Sequence, residues 1–243
     1  MTTSATAKAV RAKGDRTRQA ILRAAVDVAS EEGLEGLTIG RLASEMGMSK
    51  SGLFAHFGSK EELQLATVEA AREVFIEAVI GPAFESARGL ARLRRLCEVW
   101  LDYANGQVFR GGCFFFAASA EFDGRPGPVR DRVAAIMREW LAVLERTARE
   151  AQDAGELGRD VTPAQLAFEI NALELGANWA FQLYGDARVF AQTRASILRR
   201  LSGLSVAADA SPTTKPRPKR SPRKTPKRAP RKAKAPEKKH GRG

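Results

Sequence analysis

From residue 15 to about residue 203, apolar residues recur at intervals of three and four, and no run alternates with period two. A chain patterned this way buries its apolar stripes by packing helix on helix, so the sequence predicts an all-α fold without a sheet. Glycine, proline and N-capping residues cut the pattern into nine helices.

The first, over 15–32, carries Ile21, Leu22, Ala25, Val28 and Ala29 on one face and stops at Gly33. Thr38 then caps a short helix with Ile39, Leu42, Ala43 and Met46, which ends at Gly47. Ser49 caps KSGLFAHF, closed by Gly58, and Ser59 with Glu62 forms a capping box for a fourth helix that runs to about Ile80, where Gly81 and Pro82 break the pattern. Five more follow, over about 88–106, 112–122, 127–154, 163–184 and 187–203. The 243 residues, 44% of them hydrophobic, are enough for a sizeable helical core.

Charge divides the chain differently. Residues 211–243 hold 14 Lys or Arg against one Glu, while the whole chain has a net charge of +12. Residues 1–60 are mildly basic and residues 61–210 mildly acidic, so a polyanionic partner would be met by the ends. Seven prolines fall within 211–243 among almost no apolar residues, a composition that cannot form a packed core and is expected to be disordered. Its repeats PKRS, PRKT, PKRA and PRKA resemble the proline- and lysine-rich tails of linker histones. Extended at about 3.1 Å per residue, such a tail would reach roughly 100 Å along DNA.

At the other end, two short helices joined by a glycine turn have the layout of a helix-turn-helix, whose second helix enters the major groove. Ser49, Lys50, Ser51 and Gly52 make a first turn with little bulk, so the backbone can approach bases and phosphates. Lys50 and Ser51 are positioned to reach base edges, and Thr38, His56 and Lys60 lie at element ends suited to phosphates. His56 reads equally as a half-buried packing residue. Lys60 opposes a helix dipole, which favours a phosphate role over plain solvation.

The string TIGRLASEMGMSKSGLFAHFGSKEEL resembles the signature of the tetracycline-repressor (TetR) family of bacterial transcriptional regulators, with the match strongest over residues 15–65. The resemblance implies a three-helix DNA-binding domain over 15–62 behind a flexible basic arm at 1–14. It also implies a ligand-binding and dimerisation domain over 63–205, and composition sets the disordered tail at 206–243. It implies further a homodimer on a palindromic operator in double-stranded DNA, released by a small-molecule effector. Where many relatives have tyrosine in the recognition helix this chain has Phe54, which loses a hydroxyl contact and is expected to keep a packing role.

Effector residues are sought among the aromatics of the middle region, which include Trp100, Tyr103, Phe115, Phe116 and Phe122, although each one also reads as ordinary core. Three consecutive helical residues, Phe114, Phe115 and Phe116, span about 200° of arc, so at least one must look away from a single core. The helix over 163–184 adds Asn171, Glu174, Asn178 and Trp179. Glu174 lies in an apolar run, ALELGANWAFQL, where it either faces solvent or orients a polar group of an effector. In the TetR family the last two helices pair between subunits, and the stripe Leu166, Ile170, Leu173, Ala177 and Phe181 with Phe190, Ile197 and Leu201 is expected to do so here.

The only histidines are His56 and His240, and neither a metal-ligand spacing, a phosphate loop nor a nucleophile elbow is present, so no enzyme, cofactor or metal is expected. No apolar run follows MTTSATAKAVRAK and none reaches the length of a membrane span. With only two cysteines, Cys97 and Cys113, in apolar surroundings, the expected location is the reducing cytoplasm, at the nucleoid. The rival expectation is an architectural, nucleoid-associated protein in which the basic tail dominates DNA binding.

Overall fold

The computed structural model describes residues 3–206, and the basic stretch expected to be disordered lies outside these residues apart from its first position. The described residues form nine helical rods and no strand. These are α1 (Thr3–Glu32), α2 (Ile39–Glu45), α3 (Lys50–Phe54) and α4 (Lys60–Phe75), the last continued by a π-turn (Ile76–Ile80) and a final turn (Gly81–Phe84). Next come α5 (Leu90–Asp102), continued by a π-turn (Tyr103–Gln107), and α6 (Phe114–Phe122). The order closes with α7 (Pro128–Asp153), α8 (Pro163–Tyr184) and α9 (Arg188–Leu204).

Local chemistry starts four of the helices, with the caps at Thr38, Ser49 and Ser59 as expected and a further one at Thr162. The hydroxyls of Thr38, Ser49, Ser59 and Thr162 accept the N–H groups of Arg41, Gly52, Glu62 and Gln165, respectively, at 3.0–3.1 Å. Glu62 completes its capping box one residue before Ser59, where it accepts the Gly58 N–H at 2.8 Å. Gly47 takes φ +62°, the left-handed turn that lets α3 leave at an angle to α2.

Two boundaries differ from the sequence reading. Helix α1 starts at Thr3 rather than near residue 15, because TSATAKAVRAK is rich in Ala, Lys and Arg, which favour helix without an apolar stripe to mark it. Helix α4 does not stop at Gly81 and Pro82 but widens into a π-turn just before them, and Pro82 falls in the first turn of the segment that follows, where a missing N–H is tolerated.

The core is continuous from the DNA-binding end to the far end of the body. Ile21, Ala25, Leu34, Leu42, Leu53, Phe57 and Leu63 are buried where α1 to α4 meet. In the body, α7 packs against α4, α5, α6 and α8, and α9 packs on α8 and α5. An isolated bridge between Leu157 and Ser205 ties the α7–α8 loop to the end of α9, with the Gly158 N–H donating to the Leu204 carbonyl at 2.7 Å.

Candidate nucleic-acid interface and effector cavity

Helix α3 is anchored from behind and open in front. Leu53 and Phe57 are buried against α1 and α2, and the Arg18 guanidinium lies 4.4 Å over the Phe57 ring while donating to the His56 carbonyl at 2.9 Å. On the free side Ser49, Lys50, Ser51 and Phe54 are exposed. The packing role expected of Phe54 therefore belongs to its neighbours. Phe54 is 53% exposed because a five-residue helix can bury only one side, and Leu53 takes it.

The other candidates are divided between contact and structure. Thr38 and Ser49 are exposed but spend a lone pair on their caps, and Gly52 is the residue whose N–H the Ser49 hydroxyl accepts. Lys50 folds back over Gly40, where an added Cβ would sit 3.3 Å from Cε, so glycine at 40 sets the path of the lysine. His56 is half-buried. Lys60 is paired with Glu35 at 2.7 Å, and that hydrogen bond holds the Glu35 carboxyl below its usual range. Gly40 and Arg18 are contributors that periodicity did not indicate.

Two elements of the body grip the turn between α1 and α2. From α4, the buried Gln64 donates its amide to the Leu34 carbonyl at 2.9 Å. From α6, the Glu121 carboxylate accepts the N–H groups of Leu34 at 2.7 Å and Glu35 at 2.9 Å. Just before α6, the Gly111 N–H donates to the Ser30 hydroxyl at 3.2 Å, and a side chain at 111 would overlap the Ser30 carbonyl. Nothing in the sequence pattern paired these residues, which lie 30 to 87 positions apart.

The same two elements lead to a cavity. It is tight and is walled by Phe75 at the end of α4, Trp100, Cys113, Phe115, Ile136, Met137, Trp140, Asn171 and Leu175. Phe75 is the hub of its aromatic wall, edge-on to Phe115 and Trp140 with ring centroids 6.0 and 5.3 Å away. Burial drives the Cys113 thiol up to about 11, so it is a neutral wall rather than a nucleophile. Of the aromatic triplet, Phe114 and Phe115 are buried and Phe116 is only partly covered.

Among the expected effector residues, Trp100, Phe115 and Asn171 line this cavity. Tyr103 and Phe122 line two separate surface grooves. Phe116 is absent from the cavity wall, and Asn178 is used structurally, its amide oxygen accepting the Cys113 N–H at 2.9 Å. Trp179 is 49% exposed, stacks edge-on with Tyr184 on the outside of α8, and is not part of the cavity wall. Glu174 does not face solvent. It is fully buried, both its oxygens lack a hydrogen-bond partner, and burial raises its pKa well above the usual carboxylate range.

The stripe expected at a subunit interface is mostly internal. Leu166, Ile170, Ala177, Phe190, Ile197 and Leu201 are buried within the chain itself, and Phe181 is partly buried against Phe190. The exposed apolar residues of α8 are instead Phe168, Leu173, Trp179, Leu183 and Tyr184. At 100° per residue, Phe168, Ala172, Gly176, Trp179 and Leu183 fall within about 80° of arc opposite the buried stripe. Helix α8 is apolar on two faces, and periodicity alone does not say which is inside.

Comparison with known proteins agrees with this arrangement. Residues 21–67 match the family described as "Bacterial regulatory proteins, tetR family", and residues 89–197 match "Tetracyclin repressor-like, C-terminal domain". The chain belongs to the TetR family. Among relatives, the transcriptional regulator AcuR of Cereibacter sphaeroides is 26% identical over 151 residues, which is 61% of this chain and 68% of AcuR. A TetR transcriptional regulator from Chloroflexus aurantiacus has the same fold with a TM-score of 0.74 at 24% identity, over 79% of this chain and 98% of its own. A third, AibR, solved with isovaleryl coenzyme A and operator DNA, superposes with a TM-score of 0.60 at 21% identity, over 77% of this chain and 97% of AibR.

This TetR-family chain is a DNA-binding transcriptional regulator with an N-terminal helix-turn-helix and a helical C-terminal ligand-binding domain. Its fold and family are those of regulators rather than enzymes. Among the described residues, no cluster of three or more His, Cys, Asp or Glu side chains is suited to a metal ion, and no helix is long and apolar enough to cross a membrane.

Proposed function

We propose that the protein is a repressor that binds a palindromic operator as a homodimer and is released by a small apolar or aromatic effector. The observation that carries this reading is the course of α4. The helix is capped by Ser59, five residues past the end of α3, grips the α1–α2 turn through Gln64, and ends with Phe75 in the cavity wall. An effector that displaces Phe75 acts on one end of a rod whose other end holds the turn between α1 and α2.

In this reading Lys50 and Ser51 read bases, Phe54 offers an apolar contact to thymine methyls or sugars, and Thr38, Ser49, His56 and Lys60 approach phosphates. Lys60 would exchange Glu35 for a phosphate on binding. The dimer forms through the exposed face of α8, with Phe168, Trp179 and Leu183 at its centre, together with Ala191, Ala195 and Leu198 of α9. The basic stretch at 211–243 adds sequence-independent affinity. That AibR was solved with operator DNA and an acyl-coenzyme A ester supports an operator-and-effector reading in general, without indicating this chain's effector.

Genome-wide mapping of the DNA it occupies tests the proposal. Discrete palindromic sites are the expected result. Broad coverage lost on deletion of 211–243 would replace the repressor by an architectural protein.

A further inference from the structure

Glu174 is a costly residue to find in this core. Nothing charged pairs with it, and an isolated buried carboxylate is expensive unless it is neutralised. Its place in the fold is specific. Asn171 and Leu175, one turn and one residue away on α8, are walls of the cavity. Cys113 and Trp140, two further walls, lie beside the carboxylate on other elements, and the Trp140 indole N–H approaches it without closing a hydrogen bond.

The wall chemistry has one sign. Phe75, Trp100, Phe115 and Trp140 present aromatic rings whose faces attract positive charge, Asn171 adds an amide, and the wall holds no Lys, Arg or His. An anionic effector would meet π-faces and a carboxylate, with nothing to balance its charge. A cationic effector would meet an aromatic cage with an unpartnered carboxylate behind it, and would remove the cost of burying Glu174.

We propose that the effector cavity takes an organic cation, an amine or quaternary ammonium on a small apolar or aromatic body, with Glu174 as its counter-ion and Phe75, Trp100, Phe115 and Trp140 as its cage. The inference rests on the effector-released repressor reading, and it narrows the ligand class. The cavity is tight in this structure, so an effector of one ring and one substituted nitrogen enters as its aromatic walls part.

The test uses the full-length protein without DNA and three probes of similar size. These are benzyltrimethylammonium, neopentylbenzene, in which carbon replaces the charged nitrogen, and the anion phenylacetate. Binding is followed by calorimetry and by the fluorescence of Trp100 and Trp140. The expected result is that the cation binds at least about tenfold more tightly than either other probe. Glu174→Gln, confirmed as folded by thermal melting, should lose about tenfold or more of that affinity, while Glu73→Gln on the exposed side of α4 should lose none.

Equal binding of the neutral probe, preference for phenylacetate, unchanged cation affinity in Glu174→Gln, or no binding of the cation at millimolar concentration each overturns the inference. Release from DNA is measured separately. Cation binding that leaves DNA affinity unchanged supports the site and counts against the repressor reading instead.

Discussion

At the level of single residues, two side chains carry the most testable content. Lys50 is exposed at the start of α3 and steered by Gly40, so Lys50→Ala should relax base preference at one position of each half-site by about 1–3 kcal/mol. A selection of bound sequences before and after the change measures it, and an unaltered motif would remove Lys50 from the reading set. Glu174 governs stability against pH. Its folded pKa is raised above that of the unfolded chain, so the folded state holds the proton more tightly, and stability falls as pH climbs from about 4.5 towards the folded pKa. Glu174→Gln removes this dependence. The variant should therefore gain in melting temperature over the parent at pH 7–8, with the difference shrinking towards pH 4. A constant difference across that range would mean that Glu174 is not the titrating group. Sequence placed both residues in functional regions but mistook the surroundings of Glu174 and of Phe54. Burial of a single side chain depends on which neighbours arrive from distant elements, and for Glu174 those come from α5, α7 and the segment before α6.

Among the elements, α6 has a role that its composition conceals. FFFAASAEF reads as a greasy core helix, yet its one acidic residue, Glu121, holds the α1–α2 turn through two backbone N–H groups, while Phe115 faces the cavity. Charged hydrogen bonds of this kind contribute about 1.5–3 kcal/mol each. Glu121→Ala should lower the melting temperature by several degrees, at roughly 2–4 °C per kcal/mol for a chain of this size. It should also weaken the link between effector and DNA binding, read as a smaller change in DNA affinity on adding effector. A variant with unchanged melting and unchanged response would assign transmission to α4 alone. The caps at Thr38, Ser49 and Ser59 and most helix limits were legible because they depend on neighbours three residues away. The continuation of α4 past Pro82 was not, since a π-turn can absorb a proline that an ordinary helix cannot.

For the whole molecule, α8 presents two apolar faces, and the two can be separated by mutation. Trp179→Arg with Leu183→Arg should give a folded monomer by sedimentation, because both side chains are exposed in the single chain. Ile170→Ala should instead cost about 2–5 kcal/mol of stability, because Ile170 is buried within the protomer. A dimer that survives the double arginine change would move the interface elsewhere. Deleting 211–243 tests the division of labour in DNA binding. If about eight of its charges meet phosphates, the parent should lose roughly 10³ to 10⁵-fold in affinity between 50 and 200 mM salt, and the truncated chain much less, with the same operator motif. Sequence by itself determined the all-helical class, the helix-turn-helix and the charged terminus, because these follow from periodicity, capping and composition, which are local. Only the tertiary structure decided which face of α8 lies inside, that Glu174 is sealed beside an aromatic cavity, and that Glu121 holds the DNA-binding unit. Each of those depends on contacts between residues far apart in the chain, and helical spacing records that a face is apolar without recording what it meets.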